Sequence, residues 1–201
     1  MPYCLLCSLL LFTATTLGQT GGFELESDDD DVRVYVRQEG NDDMSVRVVT
    51  TVRAGIEEVR AVLDDAPNYP EWVHRCEAAY RVTGGTDDAY LFVSAIDLPF
   101  PFRDKEVVAR IRQWMDAEGT LHRTITAEPG AIAPTDGKER MEVYLGEWLV
   151  TPASTDGLLT LQCTVRTDAG SGLPAWLRKE ILTGGPARTM ANLRRRLEAA
   201  R

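Results

Sequence analysis

The chain has 201 residues, 44% of them hydrophobic and 26% charged, which is the balance of one soluble globular domain. Chains of this size bury roughly 70% of their unfolded surface around one core, so a division into two domains is not expected. With 31 acidic residues against 22 basic ones the net charge is -9, which argues against nucleic acid because phosphate binding needs a basic surface. Two His and few usable Cys are too small a ligand set for a zinc centre, so neither metal nor cofactor is expected.

The apolar stretch from Tyr3 to Leu17 carries no charge and, at about fifteen residues, is too short to span a bilayer. It reads as a secretory signal peptide with cleavage near Gly18/Gln19, so the product is expected in the periplasm or outside the cell. Cys4 and Cys7 stand at the front of that run, which disfavours lipid anchoring. The expected organisation is a leader at residues 1–18, a flexible Gly-rich and acidic segment at 19–31, and one folded domain at 32–201. Asp28 to Asp31 lacks the alternate spacing and Gly turn of a calcium loop and reads as solvated. Cys76 and Cys163 remain after the leader; an oxidising compartment allows a bridge, but a domain of this size needs no staple, and two buried thiols are the preferred reading.

Val32 to Arg37 and Ser45 to Val52 alternate apolar and polar residues, the period-two signature of half-buried strands, with a turn at Gly40 to Asp43. Ile56, Val59, Val62 and Leu63 recur at helical spacing and stop before Pro67. A compact turn follows at Asn68 to Trp72. From there an antiparallel meander is expected, with strands over 77–83, 88–97, 104–114, 120–128, 140–151 and 158–167, separated by Gly- and Pro-rich turns. Pro174 then opens a long amphipathic helix, which Gly184-Gly185-Pro186 should kink or break. The elements define an α+β domain whose curved sheet encloses a cavity against a terminal helix.

Five ordered motifs carry a family resemblance. They are Val32-Arg33-Val34-Tyr35-Val36-Arg37; Tyr69-Pro70-Glu71-Trp72 with Cys76 four residues on; Leu98-Pro99-Phe100-Pro101-Phe102-Arg103-Asp104; the alternate residues Tyr144, Gly146, Trp148, Val150 and Pro152; and Gly172-Leu173-Pro174-Ala175-Trp176-Leu177. Together they resemble the START family, the steroidogenic-acute-regulatory-related lipid-transfer domains of the helix-grip superfamily, over nearly the whole mature chain. That resemblance implies a helix-grip fold and a monomer that binds, and in the family transfers, a lipid.

It also implies a set of cavity residues: Trp72, Tyr90, Phe92, Val107, Ala109, Ile125, Tyr144, Trp148, Trp176, Ile181 and Leu182. A cavity large enough for a lipid spans about 300–1,000 Å³. Pro99 and Pro101 should mark a bend between strands, with Arg103 and Asp104 tying it to neighbouring backbone, and Gly146 belongs to the Gly-x-Trp strand. In the family the terminal helix acts as a gate, which makes Gly184, Gly185 and Pro186 either a hinge or a simple kink. Some members hold a charged pair in the cavity; here Val107, Ala109 and Ile111 share the apolar face of their strand, Arg110 falls outside, and the pocket should be mainly apolar.

From Pro174 to Arg201 there are seven basic residues and two acidic ones. Arg194, Arg195 and Arg196 could therefore meet an anionic membrane transiently, or be neutralised by the acidic body. His74 and His122 have no Ser or Cys at nucleophile-elbow spacing, and neither Gly-x-Ser-x-Gly nor a phosphate-cradling Gly loop occurs. A carrier is expected rather than an enzyme. The alternatives are a helix-grip enzyme of the cyclase or dehydratase kind, revealed by a perturbed acid or base facing the cavity, and a non-catalytic sensor or accessory protein.

Overall fold

The computed structural model describes residues 22–40, 43–155 and 157–199; the stretch expected to be a leader, with Cys4 and Cys7, and Arg201 lie outside them. The strands are β1 (Glu24–Asp29), β2 (Val32–Gln38), β3 (Met44–Val52), β4 (Cys76–Arg81), β5 (Ala89–Ile96), β6 (Lys105–Met115), β7 (Leu121–Ala127), β8 (Glu139–Arg140), β9 (Tyr144–Pro152) and β10 (Leu159–Thr167). Helix α1 is Ile56–Asp64, a 3-10 turn follows at Ala66–Glu71, and the chain closes with α2 (Ala175–Lys179), a π-helical turn (Glu180–Gly184) and α3 (Gly185–Ala199).

The described strands form one sheet in the order β1-β2-β3-β10-β9-β7-β6-β5-β4, with β8 beside β6. Strands β4 to β7 and then β9 and β10 run as the expected meander of antiparallel neighbours, and β10 returns to pair with β3. The connection from β3 to β4 therefore crosses from the middle of the sheet to its far edge, and α1 makes that crossing. Glu58 accepts the Gly55 amide at 2.7 Å, satisfying one donor at the helix start. Val59 and Leu63 are the buried face of α1.

Three expectations change. The segment read as a flexible lead-in holds β1, paired along β2. Its burial pattern is exposed at all but one position, so it carried no hydrophobic alternation to betray a strand. Asp30 and Asp31 form the connecting turn with φ of 51° and 60°, and both-positive two-residue turns match the twist of a hairpin. The strand expected over 140–151 divides into β8, parallel to β6, and β9, with buried Met141 between them. Gly184-Gly185-Pro186 does not break the terminal helix: the Gly185 amide bonds back to the Glu180 carbonyl. A π turn adds one residue to the ring, which accommodates Pro186 without stopping the helix.

The main core joins Val34, Val46, Val48, Val150 and Leu161 of the sheet to Val59 and Leu63 of α1 and Met190, Leu193 and Leu197 of α3. At about 25 cal/mol per Å² of apolar surface, each such side chain contributes roughly 1.5–3 kcal/mol. Cys76 and Cys163 are both free and buried.

Candidate functional site

Between the sheet and the terminal helix lies a cavity of about 180 Å³. Its wall draws Met44 and Val46 from β3, Phe92, Ser94 and Ile96 from β5, Val107 and Ile111 from β6, Ile125 from β7, Tyr144 and Trp148 from β9, and Cys163 and Val165 from β10. With Cys76 of β4, seven strands face one space, which requires a sheet curved around it. Tyr69, Trp72, Val73 and His74 close one side, and Ile181, Leu182, Gly185, Pro186, Thr189 and Met190 of the terminal helix close another. The volume is below the expected 300–1,000 Å³ and near the roughly 150 Å³ void that holds a single benzene ring. Tyr69 stands edge-on to Trp72, centroids 5.0 Å apart, and packs against Phe92 at 5.5 Å, so aromatic rings fill part of the space beneath α3.

Of the eleven residues expected at the cavity, Trp72, Phe92, Val107, Ile125, Tyr144, Trp148, Ile181 and Leu182 line it. Three do not. Ala109 is fully buried and packs against Val107, Met141 and Ala169 of the wall without itself reaching the space. Trp176 is 64% exposed in a shallow groove with Lys179 and Glu180, because α2 sits before the π turn and presents that face outward. Tyr90 is drawn into a polar network: its hydroxyl bonds to Asp64 at 3.1 Å and accepts from Arg123 at 2.7 Å.

That network is the largest feature the sequence reading missed. Arg123, only 1% exposed, also donates to Asp64 at 2.6 Å, to the Gln113 side-chain oxygen at 2.8 Å and to the Leu63 carbonyl at 2.8 Å. Its parity with Ile125 was available, since both fall on alternate positions of β7, but nothing local announced a carboxylate 59 residues away. Arg123 is satisfied within the protein and does not line the cavity. Arg110 lies outside, as expected, paired with Glu128 at 2.8 Å.

Gly146 is explained by close approach. A Cβ there would come within 3.1 Å of the Tyr144 ring and 3.2 Å of Ile125, so glycine leaves the floor on which Tyr144 lies. Pro99 and Pro101 form the expected bend, closed by Asp104, which accepts the Leu98 amide at 2.9 Å. The tie belongs to Asp104 alone, because Arg103 is exposed. On the outer side of β6, Glu106 accepts from the Thr135 amide and hydroxyl at 2.7 Å each and from Arg140 at 3.0 Å, pinning the loop that follows β7.

The rim is polar. His74 Nε2 lies 3.0 Å from Glu180 Oε1, Arg188 pairs with the same carboxylate, and Thr189 Oγ1 accepts the His74 amide at 3.1 Å. Burial, with help from Arg188 and Arg75, holds His74 below its ordinary pKa. In the neutral ring, Nε2 must then carry the proton to donate to Glu180. Asn192 adds a bond to the Trp72 carbonyl at 2.8 Å. The π turn and α3 are thus latched to the segment after the 3-10 turn. Gly184 and Gly185 sit inside this latch, where a Cβ would meet Glu180 and Arg188 or His74.

Within the cavity the thiols and phenols stay uncharged. Burial pushes the Cys163 thiol up to about 12 and raises the Cys76 thiol and the Tyr69 and Tyr144 phenols. Cys76 Sγ lies 3.6 Å from Ser94 Oγ, and Tyr69 donates to the Leu63 carbonyl at 2.5 Å. Arg194 meets Asp31 at 3.2 Å and Glu198 at 3.1 Å, and Arg196 pairs with Glu71. Arg195 bonds to Asn192 of its own helix. Two of the three arginines considered for membrane docking are therefore engaged with acidic groups of the body.

A curved antiparallel sheet that grips a long C-terminal helix over an apolar cavity defines the START-like, helix-grip class. The chain belongs to the family described as polyketide cyclase/dehydrase and lipid transport, which it matches over residues 43–199. It is similar to an uncharacterised protein of Pseudomonas aeruginosa, 28% identical over 173 residues that span 86% of this chain and 85% of the relative. Its fold is that of the STAR-related lipid transfer protein from Xanthomonas axonopodis, with a TM-score of 0.79 at 23% identity over 88% of this chain and 99% of that one. The human StAR-related lipid transfer protein 5 superposes with a TM-score of 0.75 at 17% identity, over 90% and 89%.

Proposed function

We propose that this chain binds one hydrophobic small molecule, a lipid, between its sheet and α3 and transfers it, acting as a carrier and not as an enzyme. The observation that carries the proposal is an apolar cavity closed by a helix whose π turn lies at the rim. At about 180 Å³ the cavity is a closed form, and a lipid enters as the terminal helix lifts. The lipid-transfer descriptions of the family and of the two solved structures support the ligand class. The leader-like residues 1–18 support an exported carrier. The basic terminal segment supports transient membrane contact, in which Arg194, Arg195 and Arg196 exchange their present partners for lipid phosphates.

The test is native mass spectrometry with organic extraction on the chain purified from its own cell envelope, followed by a melting-temperature screen against a lipid panel. A stoichiometric hydrophobic adduct is expected. A clean protein mass together with no shift across the panel would end the carrier reading. For docking, vesicle binding that ignores both anionic lipid and the triple change of Arg194, Arg195 and Arg196 to Ala would remove that part.

One observation favours catalysis as a second reading. His74 is neutral and lines the cavity, and its Nδ1 has no hydrogen bond among the described residues, the disposition of a base of the cyclase or dehydratase kind. Turnover of a cyclisable polyketide thioester that disappears with His74→Gln would establish it.

A further inference from the structure

Tyr144 lines the cavity, yet its hydroxyl makes no hydrogen bond to any described residue. Its neighbours there include Gly146 and the cluster of Val107, Ala109, Met141 and Ala169; Cys163 and Tyr69 also lie near, but neither bonds to it. A second lining residue, Trp72, leaves its indole Nε1 buried and unpaired. Well over nine in ten buried polar groups in proteins are satisfied, so the buried Trp72 indole N–H is an exception, and the half-buried Tyr144 hydroxyl beside the same space lacks a partner among the described residues too. The adjacent polar groups show that the fold can satisfy such atoms: Tyr69 has the Leu63 carbonyl and Tyr90 has Arg123 and Asp64. Tyr144 is different because nothing among the described residues completes it.

We infer that Tyr144 is a specificity residue whose hydroxyl meets an uncharged oxygen of the ligand, so that the cargo is a neutral, oxygen-bearing hydrophobic molecule and not a hydrocarbon or a carboxylate. This rests on the cavity-binding reading above. Neutrality follows from the charges: the buried cations of this region are already held, Arg123 by Asp64, Gln113, Tyr90 and the Leu63 carbonyl, Lys105 by Glu139 and the Ser171 carbonyl and Arg140 by Glu106, and His74 at the rim is neutral. An anion would enter with no counter-charge, and burial of an unpaired charge is strongly disfavoured. A carbonyl, ether or hydroxyl oxygen accepts from the phenol without that penalty.

The probes are acetophenone, which carries an acceptor oxygen on a ring suited to a void of this size, and ethylbenzene, its hydrocarbon counterpart. Both are titrated calorimetrically into the full chain and into Tyr144→Phe. The expected result is a preference of about three- to tenfold for the ketone in the wild type, the worth of one net hydrogen bond, and none in the variant. The ligand-free variant should keep the wild-type melting temperature, because the hydroxyl it loses makes no hydrogen bond among the described residues. An equal preference in both proteins, no preference in the wild type, or a lower melting temperature or failure to fold in the variant would each overturn the inference while ethylbenzene binding by the wild type leaves the cavity reading standing. Failure of the wild type to bind either probe would overturn both.

Discussion

Arg123 of β7 donates to Asp64, the last residue of α1, at 2.6 Å, so the helix that crosses to the far edge of the sheet is anchored to the sheet at its C-terminal end. The two partners differ in solvent access: the Arg123 side chain is 1% exposed and that of Asp64 29%. Removing the carboxylate strands a buried cation, whereas removing the guanidinium leaves an acid that water can reach. Breaking a buried pair costs about 3–5 kcal/mol. Asp64→Ala should therefore lie at the upper end and Arg123→Met below it, read as urea midpoints with an unchanged slope.

Glu106→Ala should release the loop over β6. Burial alone raises the Glu106 pKa, but the Thr135 amide and hydroxyl and Arg140 outweigh it and hold the carboxyl below its ordinary value of 4.5. A depressed carboxylate adds stability above its unfolded pKa and loses it as pH falls through the folded one. Wild-type stability should fall on acidification below about 4.5, and Glu106→Ala should lack that component after losing about 3–5 kcal/mol at neutral pH. Limited proteolysis should find new cleavage between residues 129 and 138 in the variant.

Gly146→Ala probes the floor of the cavity. The added methyl meets the Tyr144 ring at 3.1 Å and Ile125 at 3.2 Å, and overpacking of this kind costs about 1–3 kcal/mol. The ring can yield only into the void. The variant should thus bind a cavity probe such as ethylbenzene more weakly, in proportion greater than its modest loss of melting temperature; unchanged affinity would show that Tyr144 relaxes elsewhere.

Acidification should loosen the rim. His74 is flanked by Glu180, Arg188, Arg75 and Thr189, and its pKa in the closed form lies below the ordinary 6.5. Protons then bind more readily when the latch is open, so closure is fully stabilised above about 6.5 and weakens as pH falls toward the lowered value. Ligand release and amide exchange in residues 180–190 should accelerate as pH falls below 6.5, and His74→Gln should flatten that dependence.

Much of this molecule was legible in its sequence because periodicity is a local property. The alternation along β5 and β6 placed Phe92, Val107 and Ile111 on one face, and the strand limits from β4 to β7 and in β10 fell within two residues of those observed. Where an element has no face to bury, that signal vanishes, which is why the exposed edge strand β1 read as a linker. Trp176 failed for a related reason: its spacing belongs to the apolar stripe, but the π turn at Glu180–Gly184 inserts a residue and shifts the phase of the helix before it.

The class of fold, the apolar character of the wall and the glycine at 146 were therefore set by residue order alone, through side-chain period and the backbone limits of Gly and Pro. Only the tertiary structure decided which polar atoms meet: Arg123 with Asp64, Glu106 with Arg140, His74 with Glu180, and Tyr144 with no partner among the described residues. Those choices depend on contacts between residues far apart in the chain, and a hydrogen bond acts over about 3 Å in space regardless of separation in sequence.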